Sequence, residues 1–495
     1  MEFEFEKILD LLSYNNGEPL IFSSGLFLFL FLGFTAGYAM LKRQLNLRIL
    51  YVVCFSLFFY YKTSGWYLLI LVGLSLSDYA LGWLLSGAAE QWRRKMLVVI
   101  GVCINLGILC YFKYTNLIAE TIDELFDGRI STGDIFLPIG ISFFTFQSMS
   151  YTIDVYRGRI EPVRRWVDYL FYLSFFPQLV AGPIVRAKDF LPQITKNPVV
   201  VTPEMFNRGV FLIVSGLFKK AIISDYISLN FVDRIFDAPM LYSGLENLLG
   251  VYGYAMQIYC DFSGYSDMAI GIALLLGFYF NPNFDSPYKS ATITEFWRRW
   301  HISLSSWLKD YLYISLGGNR KGKIRTYINL IVTMLLGGLW HGGAWRFMLW
   351  GGIHGVALAT EKCALGTFPR MKVSGMEMKR VWRVVGIFLT FNIVCFAWIF
   401  FRAENMAAGG EILSQIFTNF SVVNAAEIAR AYWGVLVLIG LGYLLHFAPR
   451  SSEMVAERFL GRVPLWAKAV IITLIIYVVM HIKSADVQPF IYFQF

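Results

Sequence analysis

The chain has 495 residues, of which 57% are hydrophobic and only 16% charged. Soluble domains carry about 25% charged residues, so a soluble enzyme is excluded. The formal net charge of +9 does not point to nucleic acid, because the cations collect in short loops between apolar runs, as membrane topology demands.

Apolar runs of about 20 residues recur from end to end, each long enough to cross a hydrocarbon core of about 30 Å. This predicts an all-α polytopic membrane protein of roughly ten to twelve spans. Residues 1–495 read as one integral domain, with no internal repeat and no low-complexity tract. The start is acidic (Glu2, Glu4, Glu6), and the first apolar run is a full span rather than a cleaved signal. None of the six cysteines forms a C-x-x-C pair, so neither a disulfide scaffold nor a metal site is indicated.

Residues 20–41 form the first span, and Lys42, Arg43 and Arg48 mark a cytoplasmic loop. Runs 49–61 and 66–85 cross twice more, reaching Arg93, Arg94 and Lys95, and 96–112 goes back out. The loop Glu120–Asp134 is acidic (Glu120, Asp123, Glu124, Asp127, Asp134), as befits the outer side. The parity places the N-terminus outside. Pro138, Gly140 and Gln147 interrupt the next run, which ends at Arg157, Arg159, Arg164 and Arg165. Residues 166–185 carry Pro177, Gln178, Gly182 and Pro183, which predicts a broken or re-entrant helix buried in protein. An ordinary helix followed by a loop is the plainer alternative. Residues 205–280 hold two or three further spans, with Asp261 and Asp267 in apolar surroundings. Intramembrane acids imply function or pairing; here Arg298 or Arg299 is the expected partner.

The stretch Thr292–Trp350 then brings two of the five histidines into the most aromatic surroundings of the chain. Thr292 and Glu295 have capping-box spacing, so a helix starts there. Helical spacing puts Trp297, Trp300, Leu304, Leu308 and Tyr311 on one face together with His301. Arg298, Arg299 and Lys309 make such a helix too charged to span lipid, so it lies at the interface or inside the protein. Gly317-Gly318-Asn319 ends it, and Lys321–Arg325 is a basic loop. The run Tyr327–Leu339 enters the bilayer and stops at Gly337-Gly338-Leu339-Trp340-His341-Gly342-Gly343, from which Ala344–Thr360 leaves. The sixteen residues from Arg325 to His341 rise about 24 Å as a helix, which puts His341 in the outer half of the membrane. Lys362, Arg370, Lys372, Lys379 and Arg380 mark another cytoplasmic loop. Runs 381–401, 431–447 and 464–482 follow, leaving the C-terminus outside with an aromatic tail over 484–495.

A histidine can accept and return a proton near neutral pH. The glycines flanking His341 would let a substrate arm approach, and their N–H groups would suit an oxyanion. A buried histidine satisfying a carbonyl between packed helices explains His341 equally well, and a packed histidine explains His301. His354, His446 and His481 look like packing or helix-end residues.

Four segments carry a resemblance: Phe175–Pro183, Asp261–Asp267, Phe296–Leu304 and Leu339–Gly342. They closely resemble the membrane-bound O-acyltransferase family, in particular its bacterial envelope branch, which serves alginate O-acetylation and teichoic-acid D-alanylation. The resemblance covers nearly the whole chain. It implies a fold of about eleven transmembrane helices, with re-entrant or interfacial helices and a central tunnel joining a cytoplasmic thioester donor to an outer acceptor. It implies His341 as the catalytic histidine and His301 as its helper. The chain is then expected in the cytoplasmic (inner) membrane as a multi-pass enzyme with no bound cofactor. Acetyl-CoA is the expected donor, its phosphates met by Lys321, Lys323 and Arg325, although topology alone also accounts for those cations. The tail resembles the aromatic C-terminal motif of the small partner in teichoic-acid D-alanylation, which implies Tyr492 as an acyl carrier; an interfacial aromatic anchor is the alternative. The expected partners are a secreted or membrane-anchored SGNH-type, esterase-like acetyltransferase and an extracellular polysaccharide. D-alanyl transfer from a carrier-protein thioester is the close alternative. A secondary transporter or flippase, suggested by the broken apolar segments and the intramembrane acids, and a scaffold come from other classes.

Overall fold

The computed structural model describes residues 7, 11–15, 19–126, 135–367, 376–464, 466–468, 470, 471, 473, 474, 477, 490 and 491. The expectations resting on Glu2, Glu4, Glu6, Asp127, Asp134, Arg370, Lys372, His481 and Tyr492 lie outside them, as does much of the run 464–482. The described residues hold helices and no strand.

Helix α1 (Gly25–Met40) starts where the Ser24 hydroxyl accepts the Phe27 N–H. Phe27, Phe31, Phe34 and Tyr38 form its buried stripe. Helices α2 (Leu45–Ser64) and α3 (Leu68–Gly87) are separated by Gly65, whose φ of +60° ends the first. They fold back on each other. Arg165 donates to Asn46 (2.6 Å), and Tyr79 donates to the neighbouring Arg164 carbonyl (3.0 Å). On one straight helix, residues 46 and 79 would lie about 50 Å apart. The two apolar runs read from the sequence are therefore two helices folded back as a hairpin. Helix α4 (Gln91–Phe126) packs beside them.

Helix α5 (Ile141–Tyr156) is buried almost throughout. Its Ser148 and Thr152, with Asn105 of α4, donate hydrogen bonds to the fully buried Asp78 of α3. Three helices are thereby tied by one carboxylate whose lone pairs are met inside the protein. The expected break in 166–185 is real. Helix α6 (Trp166–Ser174) stops at Phe175, α7 (Phe176–Leu179) makes one turn, and Val180–Arg186 is not helical. The freed backbone finds partners inside the protein: Phe176 N–H donates to Ser56 (3.2 Å) and Ile184 N–H to Ser303 (3.0 Å). The Phe176 ring sits among Phe34, Phe55 and Phe59, at 5.0 to 5.7 Å between centroids.

Helix α8 (Pro203–Leu217) runs antiparallel to the long α9 (Gly244–Leu275), with Gly209 against Gly271 and Gly216 against Gly264. Small residues let the two backbones approach. Helices α10 (Ile293–Arg299) and α11 (Ile302–Trp307) are short. Helix α12 (Lys323–His341) and α13 (Trp345–Thr367) form a second tight hairpin, followed by α14 (Met376–Arg402). A Cβ on Gly338 would strike the Phe347 carbonyl, and one on Gly351 the Met334 carbonyl. Gly351→Ala is therefore expected to push α12 and α13 apart at a cost of about 1–3 kcal/mol. A clear drop in the detergent unfolding midpoint checks this, and an unchanged midpoint would refute the close packing.

Among the described residues, three stretches are long and apolar enough to cross a bilayer: Leu45–Gly87, Gln91–Phe126 and Arg380–Arg402. The helices Ala425–Ala431 and Trp433–Phe447, bent by 88°, make a fourth together. Many other helices are short or buried in protein. Large apolar side chains left outside, such as Phe29, Trp66, Phe388, Trp433 and Leu444, are those expected of a lipid-facing belt.

Candidate active site

The continuous helix expected from Thr292 through Tyr311 is not formed. Thr292 does cap α10, accepting the Glu295 N–H at 3.1 Å. The helix nevertheless ends at Arg299, Trp300 is extended, and His301 takes the left-handed conformation (φ +43°, ψ +57°). Helical structure resumes at Ile302. The cause is tertiary. The segment Asn283–Asp285 lies along the break, with Asp285 N–H donating to Arg299 O and Ile302 N–H to Asn283 O, both at 2.9 Å. The Asn283 side-chain oxygen accepts from the Ser303 N–H (3.1 Å) and hydroxyl (2.9 Å). A non-glycine residue at positive φ is costly and recurs at functional sites.

Asn283 also sets the chemistry of His301. Its amide nitrogen donates to Ser266 (3.2 Å), which fixes its oxygen 3.2 Å from His301 Nδ1. An amide oxygen only accepts, so Nδ1 carries the hydrogen and Nε2 keeps the lone pair. His301 is fully buried, and its Nε2 has no hydrogen-bond partner among the described residues. Its ring meets Phe262 edge-on at 4.6 Å and lies 6.1 Å from Trp340.

His341 is the last residue of α12 and is buried. Trp340 and Trp350 stand edge-on to it at 4.9 Å and Phe401 at 5.3 Å. Trp340 thus contacts both histidines, and the two candidates share one aromatic enclosure. The flanking glycines make room for protein rather than for a substrate arm. A Cβ on Gly342 would overlap the Phe347 ring, and one on Gly343 the Lys113 carbonyl.

An opening reaches His341 from another side. A cleft of about 30 Å³, room for a group the size of one water, is bounded by Lys113, Pro138, Gly140, Ser142, Val180, Trp340 and His341. Lys113 was not singled out by the sequence. It donates to Trp340 O at 2.6 Å and to Ser142 at 3.3 Å, and Tyr114 donates to Leu339 O at 2.9 Å. Helix α4 thereby pins the carboxyl end of α12 just before His341, a position where a cation is favourable. Lys113→Met is expected to weaken this clamp by about 1–3 kcal/mol, the range for leaving a buried acceptor such as the Trp340 carbonyl unsatisfied. The measurement is the acyl-transfer rate of correctly folded protein; an unaltered rate would remove Lys113 from the site.

Lys321, Lys323 and Arg325 are exposed at the opposite end of α12, one helix length from His341. The structure does not bring them to the histidines. Asp261 and Asp267 do not pair with Arg298 or Arg299. Asp261 lies 2.6 Å from Lys220 and Asp267 2.5 Å from Lys219, whereas Arg299 pairs with Glu295 and Asp285. The wide-turn segment Phe218–Ser224 presents both lysines to α9. His354 and His446 accept hydrogen bonds from the Trp297 indole (3.3 Å) and the Tyr288 N–H (3.1 Å), as packing residues do. Tyr492 lies outside the described residues, but the two residues before it are described. Phe490 and Ile491 are buried, Ile491 N–H donates to Asp261 (2.9 Å), and the Phe490 ring packs on Phe262 and Tyr265.

Residues 164–403 match the model of the membrane-bound O-acyltransferase family. The probable alginate O-acetylase AlgI of Pseudomonas putida is 36% identical over 96% of this chain and 100% of its own. The peptidoglycan O-acetyltransferase of Helicobacter pylori is 36% identical over 80% of this chain and 79% of its own. The teichoic acid D-alanyltransferase of Bacillus subtilis is 29% identical over 54% of this chain and 69% of its own.

Proposed function

The chain belongs to the membrane-bound O-acyltransferase family, and from that premise we propose that it moves an acetyl group from cytoplasmic acetyl-CoA across the inner membrane, for O-acetylation of an extracytoplasmic polysaccharide. The donor docks by its phosphates at Lys321, Lys323 and Arg325, and its pantetheine arm spans the roughly 24 Å to the histidines. His341 takes the proton of an acceptor hydroxyl. The hydroxyl oxygen attacks the thioester carbon, the C–S bond breaks, and the CoA thiolate leaves and is protonated. His301, presenting Nε2 into the same enclosure, orients the donor or supports the proton transfer.

The acceptor in this reading is Tyr492 on the outer side. Its acetyl ester passes the group to a secreted or membrane-anchored esterase-like transferase, which acts on the polymer. The placement of Phe490 and Ile491 supports this, since Phe262 touches both Phe490 and His301. The observation that carries the proposal is the meeting of His301 and His341 around Trp340.

The similarity to a teichoic acid D-alanyltransferase favours a second reading, D-alanyl transfer from a carrier-protein thioester. Purified protein given each donor in turn decides between them. Thiol release from acetyl-CoA alone is expected, and release from a D-alanyl carrier protein alone would assign the second reading. The transporter reading drew on broken apolar segments and on Asp261 and Asp267, and the pairing of both acids with lysines gives them a structural partner.

A further inference from the structure

Asp261 is a carboxylate in the buried middle of α9, where an ionised group is costly. Lys220 explains only half of it. That ammonium is shared between Asp225 (2.7 Å) and Asp261 Oδ1 (2.6 Å). The second oxygen, Oδ2, accepts the Ile491 N–H at 2.9 Å. One turn of α9 therefore holds three features in a row. Asp261 binds the tail backbone, Phe262 and Tyr265 take the Phe490 ring at 5.6 and 4.9 Å, and the Phe262 ring also meets His301. Tyr265 adds a buried hydroxyl without a hydrogen-bond partner among the described residues.

We infer that Asp261 is the latch of the C-terminal tail: its carboxylate, oriented by Lys220, binds the Ile491 amide and sets the register in which the following residue is delivered beside His301. Asp261 is a positioning residue, since it acts through the tail and not on the reacting atoms. The last clause rests on the acyl-tyrosine reading above; the latch itself does not. A carboxylate suits the task because a bond to a charged acceptor is roughly twice as strong as a neutral one, and because it grips the backbone whatever side chain stands at 491.

Ile491→Pro tests the latch without touching the Asp261–Lys220 side chains: it removes the amide donor, and it also fixes φ at 491. Ile491→Ala is the reference that trims the side chain and keeps the amide. Two measurements are made on the full chain in detergent micelles: cleavage of the tail by carboxypeptidase, and acetylation of Tyr492 from labelled acetyl-CoA. The latch predicts tail cleavage at least tenfold faster in Ile491→Pro than in Ile491→Ala, with Asp261→Ala, which removes the acceptor, resembling the proline variant. It also predicts that the double variant is no worse than either single one, as for two ends of one bond. Equal cleavage in the proline and alanine variants would overturn the latch. Faster cleavage in Ile491→Pro, with no label on Tyr492 in any variant, would uphold the latch and defeat the carrier reading. Label reaching Tyr492 as fast in Ile491→Pro as in Ile491→Ala would uphold the carrier and overturn the claim that the latch sets its register.

Discussion

His341→Gln is expected to lower acyl transfer by about 100- to 10,000-fold, the contribution of a positioned proton-transfer group. The substitution keeps a polar side chain of similar size at the end of α12 and removes the imidazole. Trp340, Trp350 and Phe401 hold the ring at 4.9 to 5.3 Å, and the clamp of Lys113 and Tyr114 acts on the backbone before it. The variant should therefore fold, and the loss should fall on the chemical step. Initial rates at saturating donor, with the unfolding midpoint as control, separate chemistry from folding. An unchanged rate in a folded variant would show that another group takes the proton. His301→Gln should cost less, because His301 assists.

Tyr492→Phe is expected to bring acetylation of the outer polymer down to that of cells lacking the protein, if the phenol is the carrier. The variant keeps an aromatic ring for the membrane interface and removes the nucleophile. Phe490, Ile491 and the Asp261 contact are untouched, so stability should shift by no more than about 0.5 kcal/mol. Cellular polymer acetylation is the readout. Full acetylation in Tyr492→Phe would leave the tail as an anchor and send the acyl group directly to an external hydroxyl.

The helix leading to His341 was legible because one apolar run between a basic loop and a glycine cluster has a single outcome. Residues 323–341 are one continuous helix, so the estimate of rise along it holds. The break at 175–186 was legible because Pro177 and Gly182 disfavour one continuous helix through the run. The kink at His301 was not. Local spacing favours helix from Thr292 onward, and Asn283, eighteen residues earlier, overrides it. The partners of Asp261 and Asp267 were hidden for a similar reason. A wide helical turn shifts the register of Lys219 and Lys220, and helical periodicity does not report such a shift. Lys113 was missed because a cation past an apolar run is the usual mark of an interface, and only the packing of α4 on α12 turns it toward a carbonyl.

The central claim is that a histidine enclosed by helices passes an acetyl group from a cytosolic thioester to an acceptor on the far side. Its most direct test is a single-turnover reaction of the purified full chain with labelled acetyl-CoA, followed by mass mapping of the labelled residue. Label is expected on Tyr492 in the native chain and almost none in His341→Gln. Label at the native rate in His341→Gln, or a native chain that consumes no acetyl-CoA, would contradict it.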